Sequence, residues 1–480
     1  MLTESFSGIR GLYKEDLTKE VIKGYSLAFS EFLKKAKKKP VVVIGMDTRP
    51  SSSTIKEEMK NIFISEGIGV IDVGFNTTPA IQHGVREFKA DGGVIISASH
   101  NEPEWNGWKL LSNKGSVLSQ KDIKGIIEKR KAAKPSSSKE KGNVVDRGRE
   151  LRESYIRFVL DSIGKDGLES IKKAKLKVVV DPNGGAATVT IKDLFEKIGI
   201  TAIYKNMDLG VFNRIIEPNE KSLAYLAFYV EDLNADLGAG WDCDGDRVEI
   251  VLPNDSEFTK TNGRMLSGQY ILALIVEEIL SEYKGKNKIV VTNDATSNLV
   301  SEVAAKHGAK VVEVEVGEIN VVEKMEELNA PVGGEGSSSG GIIPPSRCRD
   351  GIISLMFILK LMAKKGKRLN QILEKFPSYF NSRSDLRCEP KKAVLLRKKI
   401  EQYWKKQKYI QEIRKTGDET GGLKIVREPT KEGPGWIWYR ASKTESGVFR
   451  IITDAKNKLY ADKLLAMGEK AFDDCLSELR

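Results

Sequence analysis

The sequence predicts a multidomain α/β protein that ends in a separate α+β domain. Three rounds of short apolar strands alternating with helical patterns predict the first part, and a change in that order beyond Phe376 predicts the second. The first round reads as a helix over 17–37, a strand "VVVIG" from Val41, a helix after Ser51, a strand "GVIDVG" from Gly69, a helix from Pro79 and a strand from Gly93. A Pro/Ser/Lys/Gly-rich stretch over 133–144 then interrupts the pattern and places a boundary near residue 150. The second round runs through "LKVVVDP" from Leu176, a helix across Lys192, "TAIY" from Thr201, a helix across Leu223 and "ADLGAG" from Ala235. The third has a helix near Leu266, "KIVVT" from Lys288, a helix across Val303, "AKVVEVEV" from Ala309, a helix across Val322 and "APVGGEG" from Ala330. The tail reads as a strand, a long basic helix, several strands and a final helix. Domains are therefore expected at 1–150, 151–253, 254–376 and 377–480.

At 480 residues the chain exceeds one ordinary core, and 40% hydrophobic with 30% charged residues excludes extended disorder as its main state. The longest apolar stretch, "YILALIVEEIL" from Tyr270, is interrupted by glutamates and is shorter than the ~20 residues a bilayer requires, so no membrane partner is expected. The first residues, "MLTESFSGIRG", lack a basic segment followed by an apolar one, and no secretory signal is expected. Cys243, Cys348, Cys388 and Cys475 form no paired motif, which favours reduced thiols and a cytoplasmic location. The net charge of +11 raises the possibility of a nucleic-acid partner. Its excess, however, falls in the runs 34–39, 129–141 and 397–415, which read as solvated ends and faces rather than an aromatic-lined groove. That distribution argues against nucleic acid, while the field would still draw in anionic substrates.

The chemistry sits at strand ends. In "GGVIISASHNEPEWNGWK", from Gly92, a buried-strand run stops abruptly at Ser97-Ala98-Ser99-His100, and the carboxyl ends of strands are where open α/β sheets bind ligands. In "WDCDGDR", Asp242, Asp244 and Asp246 follow a strand at alternate positions. Carboxylates that close repel one another unless a cation intervenes, so this reads as a site for a hard cation such as Mg²⁺, against the alternative of an acidic surface turn. Gly245 comes too early for an EF-hand loop. Downstream, "YRASKTESGVFR" from Tyr439 offers Arg440, Ser442 and Thr444 as either a phosphate clamp or a polar hairpin. Arg10 in "SGIRG", and Asp47, Arg49 and Ser51 in "GMDTRPSS", are either part of the same chemistry or ordinary loop residues.

Taken in order, "SFSGIRG", "GMDTRPSS", "DGGVIISASHNEPEWNGWK", "DLGAGWDCDGDR", "GGEG…GG" and "RASKTE" resemble the successive signatures of the α-D-phosphohexomutase family, the phosphoglucomutase, phosphomannomutase and phosphoglucosamine mutase enzymes, especially archaeal members. The resemblance runs from residue 6 to residue 450. It implies four domains around a central cleft, each supplying one loop: phosphoserine, metal, sugar and phosphate in chain order. Ser99 would carry the phosphoryl group, and its phosphate oxygen with Asp242, Asp244 and Asp246 would hold Mg²⁺. Arg247 would lie beside the phosphoserine, and Arg10, His100 and Lys109 would border the reacting hydroxyl, with Lys109 or His100 transferring its proton. Asn101 and Asn106-Gly107 are expected to shape the turn after the serine. Glu335 with Ser337 or Ser339 would contact sugar hydroxyls, and Arg440, Ser442 and Thr444 would hold the substrate phosphate.

The implied reaction interconverts hexose 1-phosphates and 6-phosphates, of glucose, mannose or glucosamine, through a hexose 1,6-bisphosphate that also acts as activator. Departures from the family pattern bear chiefly on sugar choice. The sugar loop "GGEGSSSGGIIPP" has extra serines and no histidine, "VGEINVV" lacks a lysine common after this glycine, and Lys443 and Ser446 stand where glycine and proline are usual. A haloacid-dehalogenase-like phosphatase using Asp242 as nucleophile and Asp244 as acid/base is the alternative, and it leaves the serine motif without a role.

Overall fold

The computed structural model describes residues 2–5, 7–136, 140–443 and 445–479. It divides into two compact units, Met1–Ser267 with Ser339–Glu374, and Gly268–Ser338 with Lys375–Arg480. Within these units lie three α/β domains and a C-terminal sheet domain, the fold class that the alternating pattern predicts.

The first unit contains two sheets. One has the strand order Thr3–Ser5, Gly8–Leu12, Trp105–Ser112, Gly92–Ile96, Val41–Met46, Gly69–Phe75, Val144–Asp146. Gly92–Ile96, Val41–Met46, Gly69–Phe75 and Val144–Asp146 are parallel, as expected for strands joined by helical crossovers. Val42, Ile44, Val94 and Ile96 send side chains into one core with Phe29 and Phe63 from the flanking helices Lys19–Ala36 and Ser52–Ser65. The second sheet runs Met265–Leu266, Val248–Val251, Leu237–Trp241, Lys177–Asp181, Thr201–Tyr204, with Leu237–Trp241 parallel to Lys177–Asp181.

One expectation fails here. Asn106 and Gly107 do not shape a turn; they lie inside the strand Trp105–Ser112, antiparallel to both Gly92–Ile96 and Gly8–Leu12. Glycine is needed at 107 because a Cβ there would stand 2.0 Å from the carbonyl oxygen of Ile9. The Asn106 amide instead donates to the Ser51 and Ser52 hydroxyls at 2.7 and 3.0 Å, tying this strand to the loop after Val41–Met46.

The chain leaves the first unit after Ser267 and returns to it at Ser339. The returning helix Gly351–Lys365 is capped by Asp350, whose Oδ1 accepts from the Ile352 and Ile353 amides. Its start abuts the "WDCDGDR" loop: the Gly351 amide donates to the Gly245 carbonyl at 3.3 Å, and a Cβ at Gly351 would stand 2.8 Å from the Arg247 backbone.

In the second unit, Lys310–Val314, Ile289–Asn293 and Val332–Gly334 form a parallel set. The C-terminal domain is a five-stranded antiparallel sheet, ordered Phe380–Arg387, Val448–Ala455, Gly433–Ala441, Leu423–Thr430, Ile410–Lys415. The helices Ala393–Lys405 and Lys458–Ser477 cover it through Leu396, Ile400, Trp404, Leu464 and Phe472. Asp454, fully buried, joins the two parts of this unit: it accepts from the Ser297 hydroxyl and the Asn298 amide at the start of one helix and from the Asn381 side chain. Among the described residues no helix is long and apolar enough to cross a membrane.

Burial raises the Asp454 carboxyl from its ordinary 3.8 to about 6. A raised folded-state value makes the contribution of this group greatest below pH 4 and lost as pH climbs through 6. The difference amounts to about 3 kcal/mol. Asp454→Asn should therefore gain stability relative to the parent as pH rises from 4 to 7, measured by urea unfolding; parallel pH profiles would contradict this.

Candidate active site

Ser99 stands at the carboxyl end of the strand Gly92–Ile96 in a left-handed conformation, with φ +55°. That conformation is costly for a residue with a Cβ and persists only where surrounding contacts enforce it. Here they are explicit. The Ser97 hydroxyl accepts from the Ser99 amide at 2.8 Å. Arg49 donates to the Ser99 carbonyl at 2.7 Å and also to the Asn101 carbonyl, while its other Nη pairs with Asp47. Both side chains of that ion pair are wholly buried. Asp47 is fixed in turn by the Ser52 hydroxyl at 2.6 Å. Thus the loop "GMDTRPSS", which the sequence leaves as possible loop chemistry, is the floor of the serine turn.

The Ser99 hydroxyl lies 3.5 Å from Asp242 Oδ2. Asp242, Asp244 and Asp246 are 0–2% exposed and each offers a carboxylate oxygen within 4.8 Å of the others. Glycine at 245 has φ +69°, and a Cβ there would meet Thr77 at 2.8 Å. The loop needs that turn to bring the three carboxylates together. Burial and the neighbouring Asp246 and Asp244 push the Asp242 carboxyl well above the usual range. Burial would do the same to Asp244, but the Lys109 ammonium at 2.8 Å and the Thr78 hydroxyl at 2.6 Å hold it well below. Lys109 also lies 3.5 Å from Asp246.

More positive groups surround the cluster. Arg10 donates to the Asn101 side chain at 3.3 Å, the Arg247 amide donates to Asp242 Oδ1 at 3.3 Å, and Arg349 lies 3.5 Å from Asp246. The Arg247 charge, then burial and Arg10, lower the His100 imidazole from 6.5 to about 2. Asp244 Oδ1 and Asp246 Oδ1 are buried with no protein hydrogen bond, and such hard, anionic oxygens suit a small divalent cation. The structure thus gathers Arg10, Ser99, His100, Lys109, Asp242, Asp244, Asp246 and Arg247 in the first unit. Sequence reasoning missed Thr78 and Arg349. Thr78 opens a helix at "TTP" after a strand, a readable cap signal, whereas Arg349 carries none.

The second unit holds the remaining candidates. Glu335, buried, accepts from the Asn293 side chain at 3.0 Å and the Gly317 amide at 2.9 Å. Ser337, exposed, receives a hydrogen bond from the same Asn293 at 3.3 Å. Ser339 is placed elsewhere: it belongs to the first unit, where its buried hydroxyl donates to Glu249. Burial pushes the Glu249 carboxyl up to about 8. Arg440, next to last in the strand Gly433–Ala441, donates to Glu315 at 2.9 Å, and Lys443 shares the same Glu315 oxygen at 2.6 Å. The Ser442 hydroxyl accepts from the Glu445 amide at 3.0 Å, closing the turn. Thr444 lies outside the described residues.

Three α/β/α domains and a C-terminal sheet domain are the architecture of the phosphohexomutase fold. Models of phosphoglucomutase/phosphomannomutase alpha/beta/alpha domains I, II and III match residues 4–136, 153–255 and 267–379. The chain belongs to the phosphoglucomutase/phosphomannomutase family. It is 34% identical over 475 residues to a phosphoglucomutase/phosphomannomutase of Thermococcus kodakarensis, covering 98% of each chain. It is also 30% identical to a phosphoglucosamine mutase of Methanococcus vannielii, covering 96% of this chain and 97% of the relative. A family member from Burkholderia thailandensis shares the fold with a TM-score of 0.80 at 20% identity, covering 99% of this chain and 98% of that one. The N-acetylphosphoglucosamine mutase of Aspergillus fumigatus, solved with GlcNAc-6P and magnesium, does so with a TM-score of 0.59 at 15% identity, covering 98% and 96%.

Removing one partner of a wholly buried ion pair strands the other charge, at a cost of about 3–5 kcal/mol. Arg49→Ala should lose stability on that scale in urea unfolding and, by hydrogen exchange, deprotect the 97–101 turn ahead of the rest of its sheet. Loss confined to global stability, with that turn still protected, would contradict the floor described for it.

Proposed function

We propose that the chain is a phosphohexomutase that interconverts hexose 1-phosphate and hexose 6-phosphate through a phosphoserine at Ser99 and a bisphosphorylated sugar. The observation that carries this reading is the Ser99 hydroxyl, held in a strained turn against the Asp242, Asp244 and Asp246 carboxylates. The domain boundaries that go with it are 1–150, 151–253, 254–376 and 377–480. The four cysteines are buried and form no disulfide among the described residues, in accord with a cytoplasmic enzyme. Mg²⁺, held by Asp242, Asp244, Asp246 and an oxygen of the Ser99 phosphate, would compensate the charge of the phosphoryl group.

In the first half reaction the bond from phosphorus to Ser99 Oγ breaks and one to a free sugar hydroxyl forms. The hydroxyl proton passes to His100, held as the neutral imidazole, or to Lys109 in its neutral amine form rather than as the ammonium paired with Asp244, and Ser99 Oγ takes up a proton as it leaves. Arg10 and Arg247 compensate charge on the equatorial oxygens, and positioning does most of the remaining work. The other phosphoryl group of the bisphosphate then returns to Ser99, regenerating the phosphoenzyme; added hexose 1,6-bisphosphate would prime it. Glu335 and Ser337 would select the sugar, and Arg440, Ser442 and Thr444 would hold the phosphate that is not reacting. Ser339, donating to Glu249, would reach the sugar only by giving up that bond. In the phosphatase alternative Asp242 would be the nucleophile, and family membership favours the mutase.

Glucose, mannose, glucosamine and N-acetylglucosamine 1-phosphates, supplied with Mg²⁺ and a trace of matching bisphosphate, test the reading; isomerisation of none would sink it. Ser99→Ala should abolish turnover while intact mass shows the loss of an acid-stable phosphate from the parent protein. An acid-labile phosphate on Asp242 would instead favour the phosphatase. Arg440→Ala removes a charge-assisted contact and should raise KM for hexose monophosphates roughly tenfold or more, corresponding to about 1.5–3 kcal/mol. Unchanged kinetics would take Arg440 out of the phosphate site.

A further inference from the structure

The segment 213–217 lies in neither loop that carries the proposed chemistry, yet it touches both. Arg214 is its anchor, with a side chain 5% exposed and its guanidinium fully occupied. Nε donates to Asp181 Oδ2 at 2.6 Å, Nη2 donates to the Trp241 carbonyl at 2.7 Å and the Asp181 carbonyl at 3.3 Å, and Nη1 donates to the Ile215 and Ile216 carbonyls at 3.0 and 3.3 Å. Trp241 is the residue before Asp242, so this fork fixes the peptide from which the carboxylate loop departs. The backbone of Arg214 is held independently, its amide donating to Asn183 Oδ1 at 3.2 Å and its carbonyl accepting from Asn183 Nδ2 at 3.0 Å.

Two residues on, the Ile216 amide donates to Glu102 Oε1 at 3.1 Å, and Glu102 lies three residues beyond Ser99. Glu217 pairs with Arg247 at 3.5 Å, on the far side of the carboxylate loop. One short segment therefore bonds the serine loop through Glu102 and the carboxylate loop at both of its ends, through Trp241 and Arg247. An isolated loop arginine making ion pairs at the surface would not show this pattern. Asp181 is itself braced by the Tyr225 hydroxyl at 2.5 Å and the Asn206 amide at 3.1 Å, so the fork rests on a fixed support.

We infer that Arg214 is a positioning residue that sets the Asp242 loop in register with Ser99, acting through the 213–217 segment and Glu102. The inference rests on the reading of Ser99 and the carboxylates as the phosphoryl-transfer site. Groups that orient metal-binding residues from behind typically change metal affinity or activity 10–100-fold when lost. Lysine at 214 can keep the contact with Asp181 but cannot fork to the Trp241 carbonyl as well.

Arg214→Lys should keep its melting temperature within a few degrees of the parent. Its Mg²⁺ affinity by calorimetry should fall about tenfold, and kcat should fall with KM for the hexose phosphate little changed. Glu102→Ala, at an exposed side chain whose loss usually costs little stability, cuts the other end of the link; kcat should drop severalfold with Mg²⁺ affinity intact. A lowered melting temperature in Arg214→Lys with parental Mg²⁺ affinity and kcat would reduce Arg214 to a structural role and overturn the inference. Parental kcat in Glu102→Ala would overturn the link to the serine loop. Failure of the parent protein itself to bind Mg²⁺ or isomerise any substrate would refute the functional reading instead.

Discussion

Three carboxylates buried within a few ångströms of one another form the constraint around which the first unit is organised. Asp242, Asp244 and Asp246 could not remain charged there without compensation, since burial and mutual repulsion both add to the cost of three negative charges so close together. The fold answers with Lys109 from a strand of the first sheet, Arg349 from the returning segment and the Arg247 guanidinium, 4.0 Å from Asp246, from the loop itself. Each comes from a different stretch of chain. The charge balance of one loop thus dictates that several distant elements converge, and the serine turn is drawn into the same arrangement through Asp242.

The serine turn is held through its backbone. Its left-handed residue is kept in place by a hydroxyl two positions earlier and by two carbonyls bound to one guanidinium. Strain stored at one backbone position is offset by a buried ion pair beneath it. The second unit is simpler: Asn293 aligns Glu335 and Ser337, and Glu315 gathers Arg440 with Lys443. Lys443 is thereby engaged by a carboxylate within the same unit.

Much of this was legible in the sequence because strand ends announce themselves. Apolar runs that stop at polar residues located the serine pair Ser97 and Ser99 and the three aspartates, the family resemblance chose Ser99 of the pair, and the pattern beyond Phe376 read correctly as a strand, a helix, further strands and a last helix. What stayed hidden depended on contacts far apart in the chain. Asn106 and Gly107 have the composition of a turn, yet glycine there serves the close approach of a neighbouring strand. Ser339 looked like part of the sugar loop, although the chain has by then crossed back to the first unit. Arg214 lies in a loop of ordinary polarity, and only its buried carbonyl partners mark it out.

That crossing has a consequence for how the protein is made. The helix Gly351–Lys365 packs on the helix Lys165–Ala174 so closely that a Cβ at Gly167 would stand 2.9 Å from Lys360 Cδ. The first unit therefore lacks a structural helix when its first 267 residues have left the ribosome. At ordinary elongation rates of about 5–20 residues per second, it waits roughly 5–20 s for that helix to be synthesised. During that interval the surface later covered by the helix, including the neighbourhood of the aspartate loop, is open to chaperones, which makes the nascent chain rather than the finished protein the stage most exposed to misassembly.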